Sequence, residues 1–374
     1  MYIESLDLIN FRNIRQASLA LSPGFNVFYG GNGQGKSNLL EAIHTLSFLK
    51  GFRSSGISDL VEFNAPKSQI SAVVKTSFAS TRLSLELDRH ARRAFIDGTP
   101  CGRAKDYLGI LRSILFVPSD VSFLQNAPAE RRTSLDRMVF NLRPAYLLDL
   151  EHYNKLLKQK SAVLHSDYPD QALLDVYDSQ ICPIGVRLIE ARYDYFNLLA
   201  PYIRRVFAAI FDSQFDCLLT YKPSSSKLHV IFDSNHESDK KRITDEYLCA
   251  FQKARPVELA RRQISLGPHR DDWSILLNGH SAKAFASQGQ QRSICLAIKL
   301  SEIECLKNEA DIEPVFLLDD VSSELDPTRH KRLFEYLNAI TAQTFLTTTA
   351  REHVHIDCVG RMFSVENGSI LHVD

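Results

Sequence analysis

The sequence predicts an α/β fold in which a strand-rich, phosphate-holding lobe is interrupted by a long, mainly helical second lobe. Three observations predict it. A short apolar strand, a glycine-rich turn and an amphipathic helix follow one another over residues 25–48. An apolar strand ending in two acids, Pro314 to Asp320, lies about 280 residues further on. Between the two run long helical periodicities, too much chain for a single strand–helix crossover.

The glycine-rich turn is Gly30-Gly31-Asn32-Gly33-Gln34-Gly35-Lys36-Ser37, followed by Asn38. It fits the phosphate-loop pattern of a Gly, four residues, then Gly-Lys-Ser. Phe25 to Tyr29 reads as the buried strand before it, and Leu39, Leu40, Ile43 and Leu46 share one helical face after it. Glycines let successive backbone N–H groups turn inward as a nest for phosphate oxygens. The following helix adds about half a positive charge at the same point. Lys36 supplies a mobile cation for the β- and γ-phosphates, and the Ser37 hydroxyl is placed to ligate Mg²⁺. This chemistry is nucleotide binding.

The flanking chain reads as follows. Tyr2 to Ile9 and Ala17 to Leu21 are predicted strands, and Ile70 to Phe78 and Arg82 to Leu87 alternate like strands, with Phe95-Ile96-Asp97-Gly98 as a hairpin-like turn. Pro128 opens a helix, with further helices over Tyr146 to Val163, Leu173 to Phe211 and Lys241 to Arg262. A strand pair is predicted at Phe215 to Tyr221 and Lys227 to Phe232. Thr344 to Thr347 is a strand, and Asp326-Pro327 caps a helix whose apolar face is Leu333, Phe334, Leu337 and Ile340. The lobes are thus expected at residues 1–115 with 311–374, which bind nucleotide, and at 116–310, the helical arm.

With 374 residues the chain can bury two cores. No apolar run approaches the roughly 18 residues that span a bilayer, so no membrane segment is expected. The first residues lack a secretion signal, and seven cysteines without any C-x-x-C pair read as reduced side chains in a cytoplasmic protein. Lys and Arg number 44 against 44 Asp and Glu, so nucleic-acid binding would have to come from local patches. Two basic runs qualify, residues 240–262 and 82–112, although charge runs are usually solvated faces. Aromatic residues form no base-stacking ladder.

The strand ending in Asp319-Asp320 has the form of a Walker B element, in which the first acid holds Mg²⁺ and the second polarises the attacking water. Ser287-Gln288-Gly289-Gln290 opens a helix whose apolar positions are Ile294, Ala297, Ile298 and Cys305, a second place where free N–H groups meet an anion. By itself a Ser at a helix start is usually only a cap. The order of these segments, ending in Ser323-Glu324-Leu325-Asp326, resembles an ABC-type ATPase head of the SMC class. Asn10-Phe11-Arg12-Asn13, Asn32 to Asn38, Phe116-Val117-Pro118-Ser119-Asp120, Glu130-Arg131-Arg132, Gly267-Pro268-His269-Arg270-Asp271-Asp272 and Gly289-Gln290-Gln291-Arg292 resemble the RecF family of bacterial DNA-repair proteins.

The resemblance implies a fold: an SMC-like P-loop ATPase head with an inserted helical arm. It implies ATP and Mg²⁺ at residues 30–38, with Lys36 and Asp320 catalytic and Ser37 and Asp319 on the metal. It implies an ATP-dependent head-to-tail homodimer in which Ser287, Gly289 and Gln290 reach the partner's nucleotide and Ser323 to Asp326 cross the interface as a D-loop. It further implies binding of gapped or single-stranded DNA next to duplex, the mediators RecO and RecR, recombinase loading, and a place in repair, replication-fork maintenance and the SOS response. Two departures bear on rate. Asp320 stands where the wider class has Glu, one methylene longer, and Thr348-Thr349 stand where it has a switch His, with His353 and His355 nearby. Slow hydrolysis, used as a timer, is expected. A small-molecule kinase would need no such helix-tip segment or helical insertion, a GTPase lacks its guanine-reading segment here, and a transporter ATPase rarely carries such an arm. A DNA-bound scaffold without turnover is the remaining competitor.

Overall fold

The computed structural model describes residues 1–53, 56–211, 216–224, 239–320, 327–351 and 360–373. They form two compact units: Met1–Val121 with Arg205–Phe215 and Ser287–Asp374, and Ser122–Arg204 with Asp216–Ala286.

The first unit contains two six-stranded sheets. One is antiparallel, built from β1 (Tyr2–Phe11), β2 (Ile14–Ala20), β4 (Lys67–Lys75), β5 (Ser80–Asp88), β6 (Arg92–Ile96) and β7 (Thr99–Pro100) in the order β2-β1-β4-β5-β6-β7. The other holds β3 (Phe25–Tyr29), β8 (Ser113–Phe116), β12 (Val315–Leu318), β13 (Thr344–Thr348), β14 (Gly360–Glu366) and β15 (Ser369–Val373) in the order β15-β14-β3-β13-β12-β8. Four of its five pairings are parallel, and the fifth, β14 with the edge strand β15, is antiparallel. Val315 to Leu318 are all buried, as a parallel strand covered on both faces requires.

Helix α1 (Lys36–Phe48) touches both sheets, which makes it the middle layer of the unit. Leu39, Leu40, Ile43 and Leu46 are fully buried as the periodicity predicts, but so are Glu41 and Thr45 on the other side. The polar residues are satisfied locally: Thr45 donates to the Glu41 carbonyl at 2.6 Å, and Glu41 receives Arg12 at 2.9 Å and the Arg53 amide at 3.0 Å. A buried carboxylate without such partners would be costly.

Helix α9 (Gln288–Ala310) packs on β8 and belongs to the first unit, whereas the lobe boundaries read from sequence put it in the second. The reason is its surface: Ile294, Ala297, Ile298 and Cys305 are buried, and so are Ser301 and Glu302, so more than one face of the helix is covered within that unit. Helix α10 (Pro327–Ala339) buries Leu333, Phe334 and Leu337, and its expected cap Asp326 lies outside the described residues.

The second unit carries the short helices α3 (Ser122–Gln125) and α8 (Ala282–Phe285). Its body is α4 (Pro128–Leu142), α5 (Tyr146–Leu164), most of the 40-residue α6 (Gln171–Ile210) and α7 (Asp239–Arg261). A three-stranded sheet, β11-β10-β9, joins them, from β9 (Cys217–Lys222), β10 (Asp272–Leu277) and β11 (His280–Ser281). The strand predicted at Phe215 to Tyr221 is β9, but it pairs with β10, Lys222 opposite Asp272. The predicted partner Lys227 to Phe232 lies outside the described residues. Trp273, Ile275 and Leu277 alternate inward along β10, a period-two pattern that supplies the core face β9 needs.

The stretch Gly267 to Asp272 is a structural hub of the second unit. Asp272 receives Arg131 of α4 at 2.7 and 2.8 Å, and the Asp271 carbonyl receives Arg132 at 2.8 Å. The Pro268 carbonyl receives the fully buried Arg192 of α6 at 2.8 Å, and Tyr153 of α5 meets His269 at 2.9 Å. The resemblance at Glu130-Arg131-Arg132 and at this stretch therefore falls on one ion-pair network.

Candidate functional site

The site is assembled by strand register. Leu346 of β13 lies opposite Leu318 of β12 on one side and Val27 of β3 on the other. One residue further on, Asp319 and Thr347 stand side by side at the ends of their strands. Thr347 Oγ1 donates to Asp319 Oδ1 at 2.6 Å, and the Ser37 hydroxyl donates to the same oxygen at 2.8 Å. Ser37 and Asp319, 282 positions apart in the chain, thus meet directly.

Residues 30–35 lead from β3 into α1. Gly30 has φ 155°, and a Cβ there would come within 2.3 Å of the Val365 carbonyl oxygen, so β14 leaves no room for a side chain. Gly35, at φ 112°, caps α1 in a left-handed conformation, and an added Cβ would meet the Asn13 amide at 2.7 Å. Gly31, Asn32 and Gly33 are exposed, Gln34 is half-buried, and Ser37 and Asn38 are half-buried in the first turn of the helix. Asn38 N–H donates to the Gly35 carbonyl at 3.0 Å, which leaves the amides of Lys36 and Ser37 as the first donors of that helix without an intrahelical acceptor.

Two neighbouring segments hold the loop. Asn13 donates to the Gln34 carbonyl at 3.1 Å and accepts from Asn38 at 2.7 Å. Gly368 N–H donates to the same Gln34 carbonyl at 2.9 Å, and Asn367 N–H to the Gln34 side chain at 2.6 Å. The Asn10-to-Asn13 stretch and the β14–β15 turn thus grip the loop from outside.

Lys36 is buried, and its ammonium donates to the carbonyls of Gly30 at 2.6 Å and Gly31 at 2.7 Å. Burial lowers its pKa, and the carboxylates of Asp320 and Asp319 act in the opposite direction. Burial outweighs the two carboxylates, so the net direction is downward. Asp320 has φ 44°, a left-handed conformation that costs about 1 kcal/mol or more for a non-glycine residue. Its N–H donates to Thr347 Oγ1 at 3.0 Å, which fixes the strained residue. Such strain concentrates where side-chain direction matters for function.

A hydroxyl and a carboxylate are hard oxygen donors of the kind Mg²⁺ takes, and Ser37 with Asp319 fit that ion. Among the described residues no group of three or more His, Cys, Asp or Glu could hold a metal. The rest of a Mg²⁺ shell here would consist of phosphate oxygens and water, whose negative charge the ion would neutralise.

Ser287 is the N-cap of α9 and is exposed, while Gly289 and Gln290 are half-buried. Its hydroxyl accepts from Gln290 N–H at 3.2 Å, and Gln290 Oε1 accepts from Ser287 N–H at 2.9 Å, a reciprocal capping box. The hydroxyl hydrogen remains available at the surface. Among the described residues no hydrogen bond joins this tip to residues 30–38 of the same chain. Ser323 to Asp326, His353 and His355 lie outside the described residues. Thr348 Oγ1 donates to the Ala350 carbonyl at 3.2 Å and Thr349 is exposed.

Thr347 carries no recognisable motif, yet it ties both acids together. Its one sequence signal is a Thr at the end of an apolar strand. Glu41, with its bonds to Arg12 and Arg53, is equally hidden as an ordinary helix acid.

The RecF/RecN/SMC N terminal domain family matches residues 2–370. The DNA replication and repair protein RecF of Streptococcus pneumoniae (strain CGSP14) is 34% identical over 355 residues, 95% of this chain and 94% of that protein. RecF of Streptococcus suis (strain 05ZYH33) is 34% identical over 372 residues, covering 99% of both. A solved structure of the recombination mediator protein RecF-ATP in the RecFOR pathway superposes with a TM-score of 0.89 at 29% identity, over 100% of this chain and 98% of that one. An SMC head bound to the C-winged helix domain of ScpA has a TM-score of 0.58 at 15% identity, a likeness of fold.

Proposed function

This chain belongs to the RecF family within the RecF/RecN/SMC group, and we propose that it is an ATP-switched DNA-binding protein of recombinational repair. Lys36 and the loop of residues 30–38 bind the triphosphate, Ser37 and Asp319 hold Mg²⁺, and Asp320 orients the attacking water. Two chains clasp ATP head to tail, each lending Ser287, Gly289 and Gln290 to the loop of the other. The dimer holds gapped or single-stranded DNA beside duplex and, with RecR and RecO, helps load recombinase in the cytoplasm at stalled forks and in the SOS response. Hydrolysis is slow because the Asp320 carboxylate is one methylene short of the Glu of the wider class.

The observation that carries this reading is the meeting of Ser37, Asp319 and Thr347 beside Lys36, with the Ser287 tip exposed and unlinked to its own loop. A loop built for phosphate and a free anion-binding tip in one unit are complementary parts of a clasp between two copies. The relatives' names support the repair context, and the RecF-ATP structure supports the nucleotide.

Sedimentation of the full chain with ATP, with ADP and without nucleotide, each with and without a gapped duplex, tests the proposal. A shift to dimer that requires ATP and retains DNA is expected. Equal sedimentation in all three nucleotide conditions would sink it. Turnover should stay below about 10 per second, a typical enzyme value.

A further inference from the structure

In the second unit, α5 and the end of α7 border a groove of about 920 Å³. Five cations line it: Lys155 and Lys158 from α5, Arg261 and Arg262 from the end of α7, and Arg270 from the hub stretch. All five are exposed, and none has a carboxylate within ion-pair distance among the described residues. Glu151 is the one acid in the lining.

We propose that this groove is a nucleic-acid backbone site, which extends the DNA-binding reading above and rests on it. Lys155 and Lys158 are three residues apart and so share a helix face. Arg261 and Arg262 stand where a helix C-terminus favours cations, which explains two of the charges without a ligand. Arg270 Nε–H donates to the Ile264 carbonyl at 3.0 Å, which holds that cation at the hollow, but neither contact explains why the α5 lysines, about a hundred residues away in the chain, converge there too. Five like charges in one groove repel one another, and a polyanion relieves that repulsion.

The other lining groups match phosphate and sugar contacts. Asn154, Gln263, Ser161 and His165 offer amide, hydroxyl and imidazole groups, the types that accompany Lys and Arg on nucleic-acid backbones. An acidic protein partner would seek apolar anchors, and here the lining has Leu157 and Ile264, the latter buried.

Arg255, in the same basic run, plays no part. It is buried on Asp178 and Asp175, so the run at residues 240–262 is not one surface but two environments.

The test uses the full chain with ATP and a fluorescent gapped duplex, titrated between about 50 and 200 mM salt. Lys155→Ala with Lys158→Ala, and Arg261→Ala with Arg262→Ala, should each lower the slope of log affinity against log salt by about 2 and weaken binding about tenfold or more. Lys155→Arg with Lys158→Arg should restore both, which separates charge from folding. Unchanged slopes in variants of a wild type that binds DNA overturn the groove and leave the function standing. A wild type without salt-dependent DNA affinity overturns both. Unchanged DNA binding with lost binding of poly-glutamate assigns the groove to an acidic protein and overturns the proposal.

Discussion

The hydroxyl of Thr347 donates to Asp319 and accepts from the Asp320 amide, so one side chain orients a carboxylate and pins its strained neighbour. Thr347→Val keeps the shape and removes both bonds. It should cost about 1–3 kcal/mol of stability, the range for orphaning buried polar groups, and reduce ATP turnover far more than Thr347→Ser. Calorimetry and turnover of the two variants check this; equal turnover would show that Thr347 does not act on the site. A second residue-scale effect is electrostatic. Burial lowers the His269 pKa from 6.5 to about 4. Between those values the unfolded chain binds the proton and the folded one does not, so stability falls as pH drops through that window. The loss is at most about 3 kcal/mol by linkage. His269→Asn should flatten the dependence of the unfolding midpoint between about pH 7 and 5; an unchanged slope would assign the acid sensitivity elsewhere.

At the element scale, three helices of the second unit are pinned by one lysine. Lys160 of α5 is fully buried between Asp178 of α6 at 2.6 Å and Glu258 of α7 at 2.7 Å. Lys160→Met leaves Glu258 without its cation and Asp178 with Arg255 alone, and should destabilise by about 3 kcal/mol or more. Replacing Lys160 and Glu258 together by apolar residues of similar volume, with Asp178 left on Arg255, should recover part of that, since the buried pair carries a desolvation cost. Chemical denaturation of both variants reads the difference. In the first unit, the close approach of β14 to Gly30 makes an analogous demand. Gly30→Ala puts a Cβ 2.3 Å from a carbonyl oxygen that the sheet holds in place, so β3 or β14 must shift. Gly33→Ala meets nothing within 4 Å and carries only the left-handed strain of its φ of 77°, about 1–2 kcal/mol. Nucleotide affinity should vanish in the first variant and survive in the second.

For the whole molecule, the deciding question is whether the exposed α9 tip serves another copy. Ser287→Arg loses a cap worth about 1 kcal/mol, yet it places a bulky cation where a partner's nucleotide loop would arrive. The ATP-dependent sedimentation shift should disappear while nucleotide binding by the monomer persists. If the variant dimerises like wild type, the tip has no role between chains. Lys36→Ala separates the switch from a scaffold: an ATP-switched clamp loses its DNA function, and a scaffold keeps it.

The phosphate loop, the acidic strand end and the capping serine were legible because each is local. A glycine pattern, an apolar run and a cap depend on residues a few positions apart, and their physics acts over one turn or one strand. The long helices of the second unit were legible for the same reason. Thr347, Glu41, the β14–β15 grip on Gln34 and the β9–β10 pairing were not, since each depends on which distant strand lies alongside. Nor could the sequence assign α9 to its unit, because a helix covered nearly all round has little periodicity to point with. The chain by itself determined which groups could meet a phosphate; strand order and register decided that Ser37, Asp319 and Thr347 stand within hydrogen-bond reach, because contact between segments 282 residues apart exists only in the folded state.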